Sequence, residues 1–176
     1  MSEVDFLSDS IEILDYIEKD SFQKHHIKTN NGGFIVTDSS PFIYSVKTII
    51  SKLYTKNRAI IEISRGIDYD NIVDLSYSNF FELMPREIKK KSLVIYIQTD
   101  IKKRFYRNNK RKNLDDFKNS DSDLKSFHCP AEAMKRFFSK DDFFNMIKKE
   151  EEIDFIILNN NNSKELYLKK IRRFFL

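Results

Sequence analysis

Residues 58 to 66 read RAIIEISRG, an apolar run that meets a carboxylate at Glu62 and an arginine at Arg65. A short continuous run of this kind, bounded by polar residues, predicts a strand buried on both faces, as in a parallel sheet. Its carboxyl end is where open α/β sheets place their ligand crevice, which makes Glu62 and Arg65 the first candidate site residues. An acid and a base together there suit a magnesium-bound phosphate substrate. The carboxylate can hold the ion through water while the guanidinium takes phosphate oxygens as a fork. A buried ion pair or a strand-end salt bridge accounts for the same two residues without any ligand.

Outward from this strand, apolar runs alternate with helical periodicity. Leu7, Ile11, Leu14 and Ile17 recur at helical spacing and predict an amphipathic helix to about Lys19. Phe34 to Thr37 reads as a short strand, and Ser40 followed by Pro41 as a helix start whose buried stripe is Phe42, Val46, Ile49, Ile50 and Leu53. Leu75 to Glu87 reads as a helix limited by Pro85. Leu93 to Gln98 is a second apolar strand, after which Thr99 or Asp100 caps a basic helix. Pro130 opens a helix carrying Met134, Phe137 and Phe138, and Ser139 with Asp142 forms a capping pair for the next. Ile153 to Leu158 is a third apolar strand, and Asn162 with Glu165 begins a last helix. This order predicts one α/β domain over 1–176, a three-layer sandwich with a mainly parallel sheet containing Ala59–Ser64, Leu93–Gln98 and Ile153–Leu158. The polar stretch at about 113–128 reads as a lid-like loop.

Thirty-one Lys and Arg against 27 Asp and Glu give a net charge of +4, which favours anionic partners, nucleotides or nucleic acid, only weakly. One cysteine, Cys129, leaves no internal disulfide framework and fits a reducing compartment. The opening MSEVDFLSDS carries no cationic start, and no apolar run approaches the about twenty residues of a membrane span. A soluble cytoplasmic protein without a membrane partner is expected.

Among chemical motifs, the phosphate-binding loop can be tested directly. It needs two glycines five apart followed by lysine and a hydroxyl residue, so that backbone amides close around the phosphates. The glycines here are Gly32, Gly33 and Gly66, and the offsets after Phe34–Thr37 are filled by Pro41, Val46, Lys47 and Thr48. Proline has no amide hydrogen and valine resists the required backbone angles, so Lys47 and Thr48 read as helix-surface residues. The adjacent His25 and His26 cannot both face one metal easily, and His128 beside Cys129 lacks recognisable partners. Asp68 and Asp70, just beyond Arg65, extend a candidate magnesium mouth with Glu62, though such acids alone are more often loop residues.

The strongest positive concentration is Lys102, Lys103, Arg104, Arg107, Lys110, Arg111 and Lys112. Arg107 and Arg111 are four apart and share a helix face, so with Arg104 they form a candidate phosphate-binding set. A solvated basic helix, or one meeting the acids Asp115, Asp116, Asp121 and Asp123, explains the same run. Phe105 and Tyr106 permit base stacking, although Phe105 follows Ile101 by four and reads as core.

The order EISRG (62–66), SLVIYIQTD (92–100) and RNNKRKN (107–113) resembles the later part of the P-loop kinase fold of nucleoside and nucleotide kinases, over roughly Arg58 to Leu176. The resemblance implies a P-loop-kinase-like sandwich using ATP and magnesium. In it Glu62 assists the metal or accepts the acceptor's proton, Arg65 holds the acceptor, and Arg107 with Arg111 resembles the lid arginines that neutralise the transferred group. The front of the chain departs from that pattern, having no glycine-rich loop. A truncated or split kinase, inactive by itself, is one expectation; a non-catalytic binder of nucleotides or nucleic acid working through the helix at 102–112 is the other.

Overall fold

A computed structural model of the protein describes residues 4–20, 22–29, 34–56, 58–112 and 129–161, with positions 111 and 112 described through their backbone. Among them run β1 (Asp5–Ser8), α1 (Asp9–Lys19), β2 (His26–Lys28), β3 (Phe34–Val36), α2 (Ser40–Leu53), β4 (Ala59–Glu62), α3 (Tyr77–Leu83), α4 (Arg86–Lys89), β5 (Leu93–Gln98), α5 (Ile101–Lys112), α6 (Ala131–Phe137), α7 (Phe143–Ile147) and β6 (Asp154–Asn159). The chain divides into two compact units, Met1–Lys89 with Pro130–Glu151, and Lys90–Cys129 with Glu152–Leu176. Both are mixed α/β. The lid-like loop expected at 113–128 and the helix expected from Asn162 lie outside the described residues.

In the first unit β1 and β4 pair in parallel, with Phe6 opposite Ile60 and Ser8 opposite Glu62. The stretch expected to be helical from Leu7 therefore begins as a strand and turns into α1 at Asp9 with no residue between. Helical spacing cannot detect this, because a strand residue pointing inward just before a helix mimics the helix's own period. The expected burial of the RAIIEISRG strand on both faces is also corrected. Ala59 and Ile61 are half-buried, whereas Ile60 and its neighbour Phe6 are 59% and 56% exposed. β4 thus alternates, and it ends at Glu62 rather than Ser64. β2 pairs antiparallel with β3, His26 opposite Val36, a strand too short and too polar to announce itself in the sequence.

Around these strands the core gathers Val36, Phe42, Val46, Ile49, Leu75, Phe80, Phe137 and Phe143. The α2 stripe falls as its periodicity requires, with Phe42, Val46 and Ile49 buried and Lys47 exposed. The single helix expected over Leu75–Glu87 is two, α3 and α4. Met84 before Pro85 adopts ψ 126°, the extended geometry that a following proline imposes. Asp142 does not cap α7 through its side chain. Its carboxylate instead accepts from the amides of Tyr77 at 2.8 Å and Ser78 at 3.0 Å, and from the Ser78 hydroxyl, closing the start of α3 from 65 residues away.

In the second unit β5 and β6 pair in parallel over their whole length, Leu93 with Asp154 through Gln98 with Asn159. This bears out the parallel pairing expected of those two strands. Among the described residues the strands form two parallel pairs and one antiparallel pair. No helix among them is long and apolar enough to cross a membrane.

Candidate functional site

The carboxyl ends of β1 and β4 bring Ser8, Asp9, Glu62 and Arg65 together, because parallel strands in register deliver their last residues to one edge. The two candidate residues then part. Glu62 opens to solvent and accepts from the Ser8 hydroxyl at 3.1 Å. Arg65 turns inward and is 3% exposed. Its Nη2 donates to Asp9 Oδ1 at 2.9 Å and to Ser45 Oγ at 3.3 Å, and Ser45 Oγ lies 2.5 Å from Asp9 Oδ1. The guanidinium carbon sits 5.1 Å from the Phe42 ring centre and 5.4 Å from that of Phe80, while Nε finds no hydrogen-bond partner among the described residues. Burial pushes the Asp9 carboxyl above its ordinary pKa against the pull of Arg65, and burial pushes Arg65 below its own. The strand end therefore contains a buried ion pair, and its acid is Asp9 rather than Glu62. Sequence reading passed over Asp9, whose signal is slight: an acid opening a helix, to which an arginine destined for the core needs a counter-charge.

Gly66 follows directly, and a Cβ on it would lie 1.9 Å from the carbonyl oxygen of Phe137, so only glycine lets the loop approach α6 so closely. The loop leaves Asp68 2% exposed. Its Oδ1 accepts from Arg136 Nε at 2.7 Å and the Asp70 amide at 3.1 Å. Oδ2 accepts from Arg136 Nη2 at 2.9 Å and the amides of Ile72 and Val73 at 3.0 and 2.8 Å. Burial works to raise this carboxyl, but Arg136 and the three amides outweigh it and keep its pKa far below the ordinary value. Five donors occupy both oxygens, so Asp68 braces the loop and has no lone pair directed to a metal. No group of three or more His, Cys, Asp or Glu suited to a metal occurs among the described residues. Beside this loop lies a cleft of about 280 Å³ reaching Ser39, whose hydroxyl accepts from the Asp74 amide at 2.7 Å.

In the second unit α5 sorts its cations. Lys103 Nζ donates to the Asn161 carbonyl at 2.6 Å, and Arg107 Nη2 to the carbonyl and side-chain oxygens of Asn160, both at 3.3 Å. These two hold the chain where it leaves β6. Asn108 exchanges two hydrogen bonds with the backbone of Cys129, at 2.7 and 2.9 Å, and burial pushes the Cys129 thiol up to about 12. Arg104 is half-buried and its Nε has no hydrogen-bond partner among the described residues. The Arg111 side chain lies outside the described residues, so of the three expected phosphate-binding arginines only Arg107 has a described partner, and that partner is Asn160. Among its described side chains α5 offers a different set to solvent: Lys102, Tyr106, Asn109 and Lys110 are exposed, Tyr106 by 66%. Lys102, Tyr106 and Lys110 succeed one another at four-residue intervals and share one face.

No family model matches this chain, and neither a curated protein nor a solved structure is significantly similar to it.

Proposed function

We propose that this chain binds phosphate-bearing ligands through the exposed face of α5 and performs no phosphoryl transfer on its own. One observation carries the reading. Seven of the twelve residues of α5 are Lys or Arg and none is acidic, and Lys102 and Lys110 stand exposed with no ion-pair partner among the described residues. A face of one sign, unneutralised within its own helix, concentrates anions at the surface. The passage of β1 into α1 without an intervening loop supports the non-catalytic half. No backbone is left there to wrap a triphosphate.

A nucleoside or nucleotide kinase-like phosphotransferase is the second reading, favoured by Glu62, a carboxylate open to solvent at the carboxyl end of a parallel pair. In it ATP and magnesium would meet Glu62.

Titrating the full chain with ATP and with inorganic polyphosphate, with and without magnesium, tests both readings. Binding that weakens with added salt, survives chelation and drops in a Lys102→Ala, Lys110→Ala double variant is the expected result. Magnesium-dependent ATP turnover lost in Glu62→Ala would install the kinase reading in its place.

A further inference from the structure

We infer that the ligand of α5 is single-stranded nucleic acid, with Tyr106 as a stacking platform between two backbone-binding lysines; this rests on the phosphate-binding reading above. An exposed tyrosine alone carries no meaning, since single apolar groups on a surface are ordinary. Its placement does. Tyr106 lies one turn from Lys102 on one side and one turn from Lys110 on the other, all three exposed, with the polar Asn109 beside them. Four residues of helix advance about 6 Å, so the two lysines are separated by about 12 Å along the axis. That spacing suits a run of backbone phosphates, which advance about 3.4 Å per nucleotide along the axis of a duplex strand.

Two further features narrow the class. The cations of the exposed stripe among the described residues are lysines, which contact phosphate as point charges and read no base edge, while Arg107, a side chain built for a bidentate fork, is turned to Asn160. A phenol ring flanked by such charges gains only from a ligand that presents an open base face beside its backbone. Bases within a duplex are already stacked on their neighbours, whereas those of a single strand are free to lie on an aromatic side chain, with little preference for sequence.

The test is fluorescence anisotropy of the full chain with a labelled 12-nucleotide oligothymidine, the same length of duplex DNA, and ATP as competitor. Tyr106→Ala is expected to weaken the single strand about tenfold and Tyr106→Phe to keep wild-type affinity, because stacking needs the ring and not the hydroxyl. Duplex affinity should not change in either variant. Thermal melting of Tyr106→Ala serves as the control for folding, since so exposed a side chain contributes little to the core. Unchanged single-strand affinity in Tyr106→Ala, or a duplex bound as tightly as the single strand, overturns this inference and leaves phosphate binding standing. Failure of all three ligands to bind, or binding indifferent to the Lys102→Ala, Lys110→Ala variant, overturns the phosphate-binding reading itself.

Discussion

At the scale of single residues, Arg65 shows how a chemically suggestive side chain is absorbed by folding. Its guanidinium and the Asp9 carboxylate each have only 1% of their side-chain surface exposed, so neither can lose its partner without leaving a charge in an apolar surround. Arg65→Leu and Asp9→Leu should each cost about 3–5 kcal/mol, read from the midpoint of urea unfolding. The double variant is expected to recover most of that loss, since removing both charges leaves no orphan and adds apolar contact beside Phe42 and Phe80. Additive losses in the double variant would contradict the pairing. Arg65 was legible in the sequence as an arginine at a strand end. Its partner was not, because 56 residues separate it from Asp9 and no local rule links them.

Among elements, α3 is seven residues long and takes much of its definition from elsewhere in the chain. Ser76 caps it locally, its hydroxyl accepting from the Asn79 amide at 3.1 Å, while Asp142 covers the preceding amides of Tyr77 and Ser78. So short a helix is marginal without such closure. Asp142→Ala should therefore lower stability by about 1–2 kcal/mol and speed amide exchange at Tyr77 and Ser78 ahead of the rest of the unit. Exchange unchanged at those two amides would mean that Ser76 suffices. Helices that stand on their own periodicity, α2 above all, were legible from sequence. Elements whose identity depends on a partner were not: β1 exists as a strand only because β4 lies beside it, and the roles of Ser139 and Asp142 were misassigned because spacing fits a capping pair that the fold uses otherwise. Ser139 donates to the Lys135 carbonyl at 2.5 Å instead.

For the whole molecule, the acid limb of stability follows from the buried and braced carboxylates. Asp68, Asp20, Asp38 and Asp15 have pKa values lowered by folding. A lowered carboxyl stabilises the native state above its unfolded value, about 3.9, and that contribution is lost as pH falls through the folded value. Asp9 runs the other way, its raised pKa adding stability as pH falls. Four groups oppose one, so unfolding midpoints should decline below about pH 4, and the decline should flatten in Asp68→Asn. An Asp68→Asn profile parallel to wild type would remove Asp68 from the acid response. The composition and the apolar runs by themselves determined an α/β chain with parallel pairing of Leu93–Gln98 and Ile153–Leu158, and a helix crowded with cations, because periodicity and local charge are written along the backbone. Tertiary structure alone decided which of these polar side chains stay open to solvent: it buried Arg65 against Asp9, saturated Asp68 with Arg136 and three amides, spent Lys103 and Arg107 on the carbonyls after β6, and left Lys102, Tyr106 and Lys110 in water. The reason is physical. A buried polar group must find its partner wherever the fold brings one, and that distance is measured through space rather than along the chain.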